Sequence, residues 1–531
     1  MIALESVVKP KCLANNNKIK VFTGVFVVVI MLFVVSSVSA QQTSHADKLK
    51  TMLSDYRDMD WSQYTVEAVR RRIPKKMYGS DVESLLSARL YFIGSQNIQE
   101  MQEVWQAQGI ARPKTIVVAN GVYSVADLHR LIDDDSVIEK TKDDTYLFRQ
   151  PVYVTSTASL VISDATIRLS LLHGVFLVAD GQLFIADAVI TSWDERAGNE
   201  GEREEVPANE LLLYGRQTPR PYILMNEGSQ IYMANSRVSG LGYKGKRGTF
   251  GLSISKRPFV VTHRLHGYIR ARAKPAGWLI GNTFTNNFFG FYSNQAEDVI
   301  LLGNVYYDNV IYNIDPHDYS ERLIIARNLT YNARQAHGII ISREVNNSTI
   351  AENLSFSNKG SGIMLDRNCS NTLVYSNLTI GNEGDGIAVF ESDNNFVVDN
   401  ITARNVRNGI YVRNSDYINT KNNFIFRNGN AGAETAVVDI DKLETRNFKL
   451  DPYHKSASAL YEGNQFDSNL HAAMTAKNKG VVTVKNNKFY NSGPIFFGGE
   501  LAPFAENLWH QNNGATPASE ASHIPRQPVS P

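Results

Sequence analysis

The sequence predicts an all-β solenoid: a right-handed parallel β-helix behind a small mixed α/β N-terminal capping region. Three observations lead there. Asparagine followed by an apolar or β-branched residue recurs at Asn282, Asn304, Asn328, Asn353, Asn377, Asn400 and Asn423, at spacings of 22, 24, 25, 24, 23 and 23. A glycine series, Gly290, Gly338, Gly362, Gly386 and Gly409, keeps nearly the same period, with Asn313 standing where one glycine would fall. Between them lie short apolar runs such as TIAENLSFSN and GIMLDRN, alternating with period 2 and lacking the 3.6-residue period of a helix.

A unit of this length is too long for a hairpin and fits one coil of about three short strands and their turns. A leucine-rich repeat has a similar period, but its leucine consensus is missing. Stacked coils sit about 4.8 Å apart, so the asparagines become an internal ladder, each bonding its neighbours and the turn backbone. Asp164, Asp187 and Asn235 extend the series backwards, and Asn464 and Asn487 extend it forwards. The solenoid is therefore placed at 151–497, its right hand following the general preference of parallel crossovers. The N-x-S/T triplets created by the series read as by-products of the ladder.

The flanking segments follow in order. Residues 1–40 read as an export signal: Lys9, Lys11, Lys18 and Lys20, then VFTGVFVVVIMLFVV, then SSVSA ending at Ala40. The rival reading is a retained membrane anchor, since the run approaches spanning length. With cleavage, the formal charge moves from +1 to −2, Cys12 is lost and Cys369 remains, so no internal disulfide is available and no stable membrane insertion is expected. Residues 41–150 read as a cap, with helices at SDVESLLSARLYFIG and at SVADLHRLIDD (opened by Ser124 and Asp127) and a strand at KTIVVAN. Residues 196–222 break the period and read as a protruding loop. Residues 498–531 form a C-terminal segment with a disordered tail from about 505.

A near-neutral charge argues against a general nucleic-acid partner. The unusual chemistry lies in IYNIDPHDYSER, residues 311–322. With the glycines as register, His317 and Asp318 fall beside Ser342 and Arg343, then beside Asp366 and Arg367, and Tyr312 falls beside His337 and Ser361. Glu391 and Asn414 come near the same column. The coil from Asn313 to Gly338 is 25 residues, one longer than the next, so strict alternation would separate His317 from Arg343. A one-residue bulge, or a position in a turn, is expected to reunite them.

The stretch YNIDPHD, within these repeats and followed by HGIIISREVNNS, resembles the Tyr-x-x-Asp-Pro-His-acid signature of the mannuronan C5-epimerases, most closely the periplasmic bacterial enzymes of alginate biosynthesis. The likeness covers nearly the whole chain. It implies a periplasmic enzyme acting on polymannuronate, with His317 as base and Arg343 neutralising the substrate carboxylate. It also implies calcium independence, no cofactor, and association with other periplasmic alginate export proteins.

The chemistry accounts for these residue types. Removing a proton beside an ionised carboxylate is unfavourable unless a cation takes up charge as the enolate develops, and the arginine fork does this. Histidine titrates near neutrality and suits the base. The opposite face needs a donor: Tyr312, or a water. Asp315 or Asp318 would orient His317 or accept sugar hydroxyls. His337, Asp366, Arg367 and Arg413 are candidate substrate-binding residues. His337 could equally be a structural histidine, and the two arginines could be solvated charges.

Other readings stand beside this one. A metal site at the Asp-His cluster is disfavoured because Pro316 prevents a regular ligand face. Phe284, Phe288, Phe289 and Phe291 look interior. HRLHGYIRARAK, residues 263–274, reads either as a second basic groove edge or as a solvated loop. A lyase would share the carbanion, a glycoside hydrolase would need paired carboxylates, and a scaffold that only guards polymer would need neither.

Overall fold

The computed structural model describes residues 45–86, 113–201, 219–245, 248–256, 273–441, 446–449, 451–491 and 495–514. The chain divides into two compact units, residues 1–59 and 60–531. In the first, residues 45–57 are helical. The export-signal reading falls outside the described residues, among which no helix is long and apolar enough to cross a membrane.

The second unit is a parallel β-helix. Each coil gives one strand to each of three long sheets, of 15, 13 and 14 strands. In the coil that matters most these are Ile314–His317, Ile324–Ala326 and Leu329–Tyr331. The 15-stranded sheet carries the candidate residues and is called the site sheet below. Its inward column runs Ile314, Ile339, Ile363, Ile387, Ile410, all fully buried. Alternation sends the intervening side chains outward.

The asparagine ladder lies at the turn between the second and third sheets. Asn304 Oδ1 accepts from Asn282 N and Nδ2 (2.9 and 3.0 Å), and Asn304 Nδ2 donates to Leu279 O at 2.8 Å. The pattern repeats through Asn464 and Asn487 and ends on Asn512. Backwards, the expected positions are off by one residue: the ladder runs through Ser236 and Ala188, whose backbone N–H groups donate to Asn282 Oδ1 and Ser236 Oγ. Asp164, Asp187 and Asn235 are instead the left-handed turn residues just before, with φ of 51, 54 and 46°.

A second ladder, which the sequence pattern did not reveal, follows the third sheet: Asn358, Asn382, Asn405, Asn428, Asn469. It explains the glycine series. A Cβ at Gly338, Gly362 or Gly386 would come within 2.6, 2.8 and 2.8 Å of the Nδ2 of Asn358, Asn382 and Asn405. At the one coil where this ladder position is Ala333, the glycine is replaced, and Asn313 fills the gap. Asn309 Nδ2 donates to Asn313 Oδ1 at 2.7 Å, and Asn313 Nδ2 donates to Asn358 Oδ1 at 3.2 Å.

The ends are covered, as open sheet edges require. The helix Val125–Ile132 is capped by Ser124 and Asp127 as predicted, and Lys114–Ala119 is the expected strand. Asp81–Leu86 is not a helix but a strand antiparallel to Lys114–Ala119, because pairing on the first coil outweighs local propensity. At the far end, residues expected to be disordered form the helix Ala505–Asn512, whose Asn512 completes the ladder. The period-breaking segment turns at Asp194–Asn199; its residues 202–218 lie outside the described residues, as do residues 263–272 of the basic run. Lys274 is described and pairs with Glu297 and Glu321. Phe284 and Phe291 are interior, but Phe288 and Phe289 form a separate cluster with Tyr292 and Ile311, against which Tyr312 packs.

Candidate active site

The strand Ile314–His317 builds the site. Ile314 points into the core, so Asp315 and His317 face outward on the site sheet. Pro316 has no N–H to donate, and the pairing to the next coil keeps only Ile314 with Ile339 and His317 with Ser342. The outward column reads Asn294, His317, Ser342, Asp366, Phe390, Arg413. The next residue in each coil is left-handed: Asp318, Arg343, Arg367 and Glu391, with φ of 31, 60, 59 and 50°. This turn, rather than a bulge, brings Arg343 round to His317. Because left-handed turns recur along the solenoid, the conformation belongs to the scaffold and does not by itself mark the site.

Asp318 joins the two. Its Oδ2 lies 2.8 Å from His317 Nδ1, and its Oδ1 lies 3.7 Å from Arg343 Nη1. Asn294 Nδ2 also donates to Oδ2, at 2.8 Å, fixing the carboxylate from the preceding coil. Nδ1 faces the acid as a close charge contact without hydrogen-bond alignment. Asp315 is buried, and its Oδ1 has no hydrogen-bond partner among the described residues. Burial, reinforced by the Asp318 and Asp366 charges and opposed by His317 and Arg367, pushes its carboxyl up to about 7. At neutral pH a large share of it is protonated and able to donate.

Tyr312 stacks on His337 with ring centroids 5.8 Å apart and meets Phe289 edge-on at 5.1 Å. Burial, with the charges of Asp315 and Asp366, raises its hydroxyl above the usual phenol range, so it stays protonated. His337 Nδ1 accepts from Ser361 N at 2.8 Å, which puts its proton on Nε2. Burial, then repulsion from Arg407, holds it down to about 4, so it is neutral. Asp366 accepts from Ser342 Oγ (3.3 Å) and lies 3.1 Å from Arg367 Nε; burial raises its carboxyl. Arg413 lies over Phe390, 3.9 Å from the ring centroid, and donates to Glu391 at 2.8 Å.

The register therefore brings together His317, Asp318, Arg343, Asp366 and Arg367 at one end of the site sheet, with Tyr312 and His337 at the other end of the same strands. Arg413 is four coils from His317 and holds Glu391. Sequence reasoning missed Asn294, and it missed Arg446 and Asp451. Arg446 pairs with Glu391, and its side chain is only 7% exposed. Asp451 lies 3.8 Å from Arg343 and 3.5 Å from Arg367. Both come from one long coil, and the signal was available: Asn423 and Asn464 are 41 residues apart where their neighbours are 23 apart.

Fold and site together define a β-helical enzyme with a histidine and an arginine sharing one carboxylate on an open sheet face. A family model described as a right handed β-helix region matches residues 318–436. Mannuronan C5-epimerase AlgG of Azotobacter vinelandii is 36% identical over 415 residues, 77% of this chain and 75% of that protein. Mannuronan C5-epimerase of Pseudomonas aeruginosa is 36% identical over 416 residues, 77% of this chain and 73% of that one. The crystal structure of a periplasmic alginate epimerase AlgG superposes with a TM-score of 0.70 at 30% identity, covering 83% of this chain and 98% of that one. The chain belongs to the mannuronan C5-epimerase family.

Proposed function

We propose that this protein converts β-D-mannuronate to α-L-guluronate residues within polymannuronate, and that His317, Arg343, Tyr312 and Asp315 carry the reaction. The observation that supports it best is the meeting of His317 and Arg343 on Asp318, facing out of the solenoid.

Arg343 binds the uronate carboxylate and takes up charge as C5 loses its proton. His317 Nε2 removes that proton, while Asp318 holds the ring and balances the imidazolium that forms. Tyr312, or a water beside it, returns a proton from the opposite face. Asp315, about half protonated at neutral pH, hydrogen-bonds a substrate oxygen in the same site. Arg367, Asp366 and His337 contact neighbouring sugars, since a uronate residue is comparable in length to one coil step. Arg343 supplies the positive charge, so the reaction is expected to run without calcium. The periplasm is the compartment this reading assigns, consistent with the name of the solved relative, and periplasmic alginate export proteins are the expected partners.

The test is to incubate polymannuronate with the protein and a chelator, then follow anomeric protons by NMR and ultraviolet absorbance together. Guluronate signals with no new absorbance support the reading. Unsaturated chain ends would make the protein a lyase, which forms the same carbanion but expels the group at C4.

A further inference from the structure

The coil between Asn423 and Asn464 is 18 residues longer than the coil before it. The extra chain returns to the catalytic end of the site sheet and places one carboxylate oxygen among three guanidiniums. Asp451 Oδ2 lies 3.8 Å from Arg343 Nη2, 3.5 Å from Arg367 Nη1 and 3.8 Å from Arg446 Nη1. The arginines come from two successive coils and from the long coil itself.

These contacts are loose. Charge-assisted N–H···O bonds run at about 2.7–2.9 Å. Glu391, in the same cluster, makes such a contact to Arg413 at 2.8 Å and a close one to Arg446. Glu391 is thus the firm counter-ion, and Asp451 is held at a distance. Arg343 is the most open of the three: its carboxylate neighbours, Asp318 and Asp451, stand at 3.7 and 3.8 Å, and among the described residues its guanidinium makes no hydrogen bond. The long coil does not depend on Asp451 for attachment. His454 pairs with Asp393 at 3.0 Å and Arg446 is bound to Glu391, contacts that fasten it to an earlier coil, while the Tyr453 Oη contact with Ile440 N (3.0 Å) and the Lys455 pairs with Asp439 and Asp441 (2.8 and 2.9 Å) tie the long coil to itself.

We propose that Asp451 is a placeholder carboxylate, occupying the position between Arg343, Arg367 and Arg446 that a polymer uronate carboxylate takes during turnover. The inference rests on the epimerase reading above and adds Arg446 to the substrate-binding set, with Asp451 as the group that polymer displaces. Polymer competes with Asp451 for the guanidiniums, so Asp451 weakens ground-state binding and lets the chain advance after reaction. Substituting it releases charge to the polymer without removing any group that substrate touches.

The test uses the full-length protein in a His317→Asn background, so that polymannuronate oligomers bind without turnover. Asp451→Asn should tighten binding about three- to tenfold, the range expected for one partly exposed ion pair released to a ligand. It should also steepen the fall of affinity with salt, and Asp451→Glu should give no gain. With His317 intact, Asp451→Asn should lower KM. Equal or weaker binding by Asp451→Asn overturns the proposal. So does a loss of kcat at unchanged affinity, which would make Asp451 a brace for Arg343. A fall in unfolding midpoint together with weaker binding would make it a strut of the loop and overturns the proposal equally. If instead the unsubstituted protein brings no guluronate into polymannuronate, the epimerase reading fails, whatever Asp451 does to binding.

Discussion

His317 and Arg343 meet on a single carboxylate: Asp318 places one oxygen 2.8 Å from His317 Nδ1 and the other 3.7 Å from Arg343 Nη1. The proposed base and the proposed charge-neutralising group thus share one side chain, itself pinned by Asn294. Asp318→Asn keeps the shape and removes the charge that supports the imidazolium. It should lower kcat by about 10²-fold or more with a smaller change in KM, and Asn294→Ala should act in the same direction more weakly. Steady-state kinetics on polymannuronate checks this; an Asp318→Asn variant with full kcat would remove the bridge from the mechanism.

Asp315 makes a pH prediction with a defined sign. Its folded pKa, about 7, lies above the ordinary carboxylate value of 3.8, so between those pH values the folded protein holds the extra proton. Stability contributed by this group therefore falls as pH rises from about 4 through 7, by on the order of 4 kcal/mol over the whole span. Asp315→Asn should be more stable than the parent at pH 8 and not at pH 4, by denaturant titration. If the protonated carboxyl is the working form, kcat/KM should decline as pH rises through about 7.

His337 acts in the opposite sense. Its folded pKa of about 4 lies below the reference 6.5, so the unfolded chain takes up the proton first as pH falls. Its contribution is intact above pH 6.5 and is lost between there and about 4, on the order of 3 kcal/mol. His337→Gln should flatten that acid limb. An unchanged limb would place the loss elsewhere.

Asn313 and Ala333 should behave as a pair. Asn313 occupies the space the second ladder leaves open at Ala333, bonding Asn309 and Asn358. Ala333→Asn alone overfills the site, and Asn313→Gly alone leaves those two buried groups without this partner. Each should cost about 1–3 kcal/mol. The double variant restores the arrangement of the other coils and should recover most of the loss. Additive losses would contradict the account.

These particulars show what the sequence makes legible. The coil period and the stacking of His317 beside Ser342 and Arg343 could be read because identical turns recur at fixed spacing. The backward extension slipped by one residue because Asp187 and Asn235 are turn residues that imitate a ladder asparagine, while Ala188 and Ser236, which hold the ladder position, carry no such signal. Asp81–Leu86 reads as a helix when taken alone, since its partner strand begins at Lys114. Arg446 and Asp451 were out of reach by pattern because the residues that lengthen their coil have no period. Only the 41-residue gap announced them.

The central claim is that His317 takes the C5 proton of a uronate neutralised by Arg343. It is tested most directly by proton NMR of polymannuronate incubated in heavy water with the parent protein, His317→Asn and Arg343→Ala. The account predicts deuterium at C5 of an intact, guluronate-containing chain for the parent, no exchange for His317→Asn, and exchange reduced by about 10²-fold or more for folded Arg343→Ala. Persistent C5 exchange in His317→Asn would contradict it.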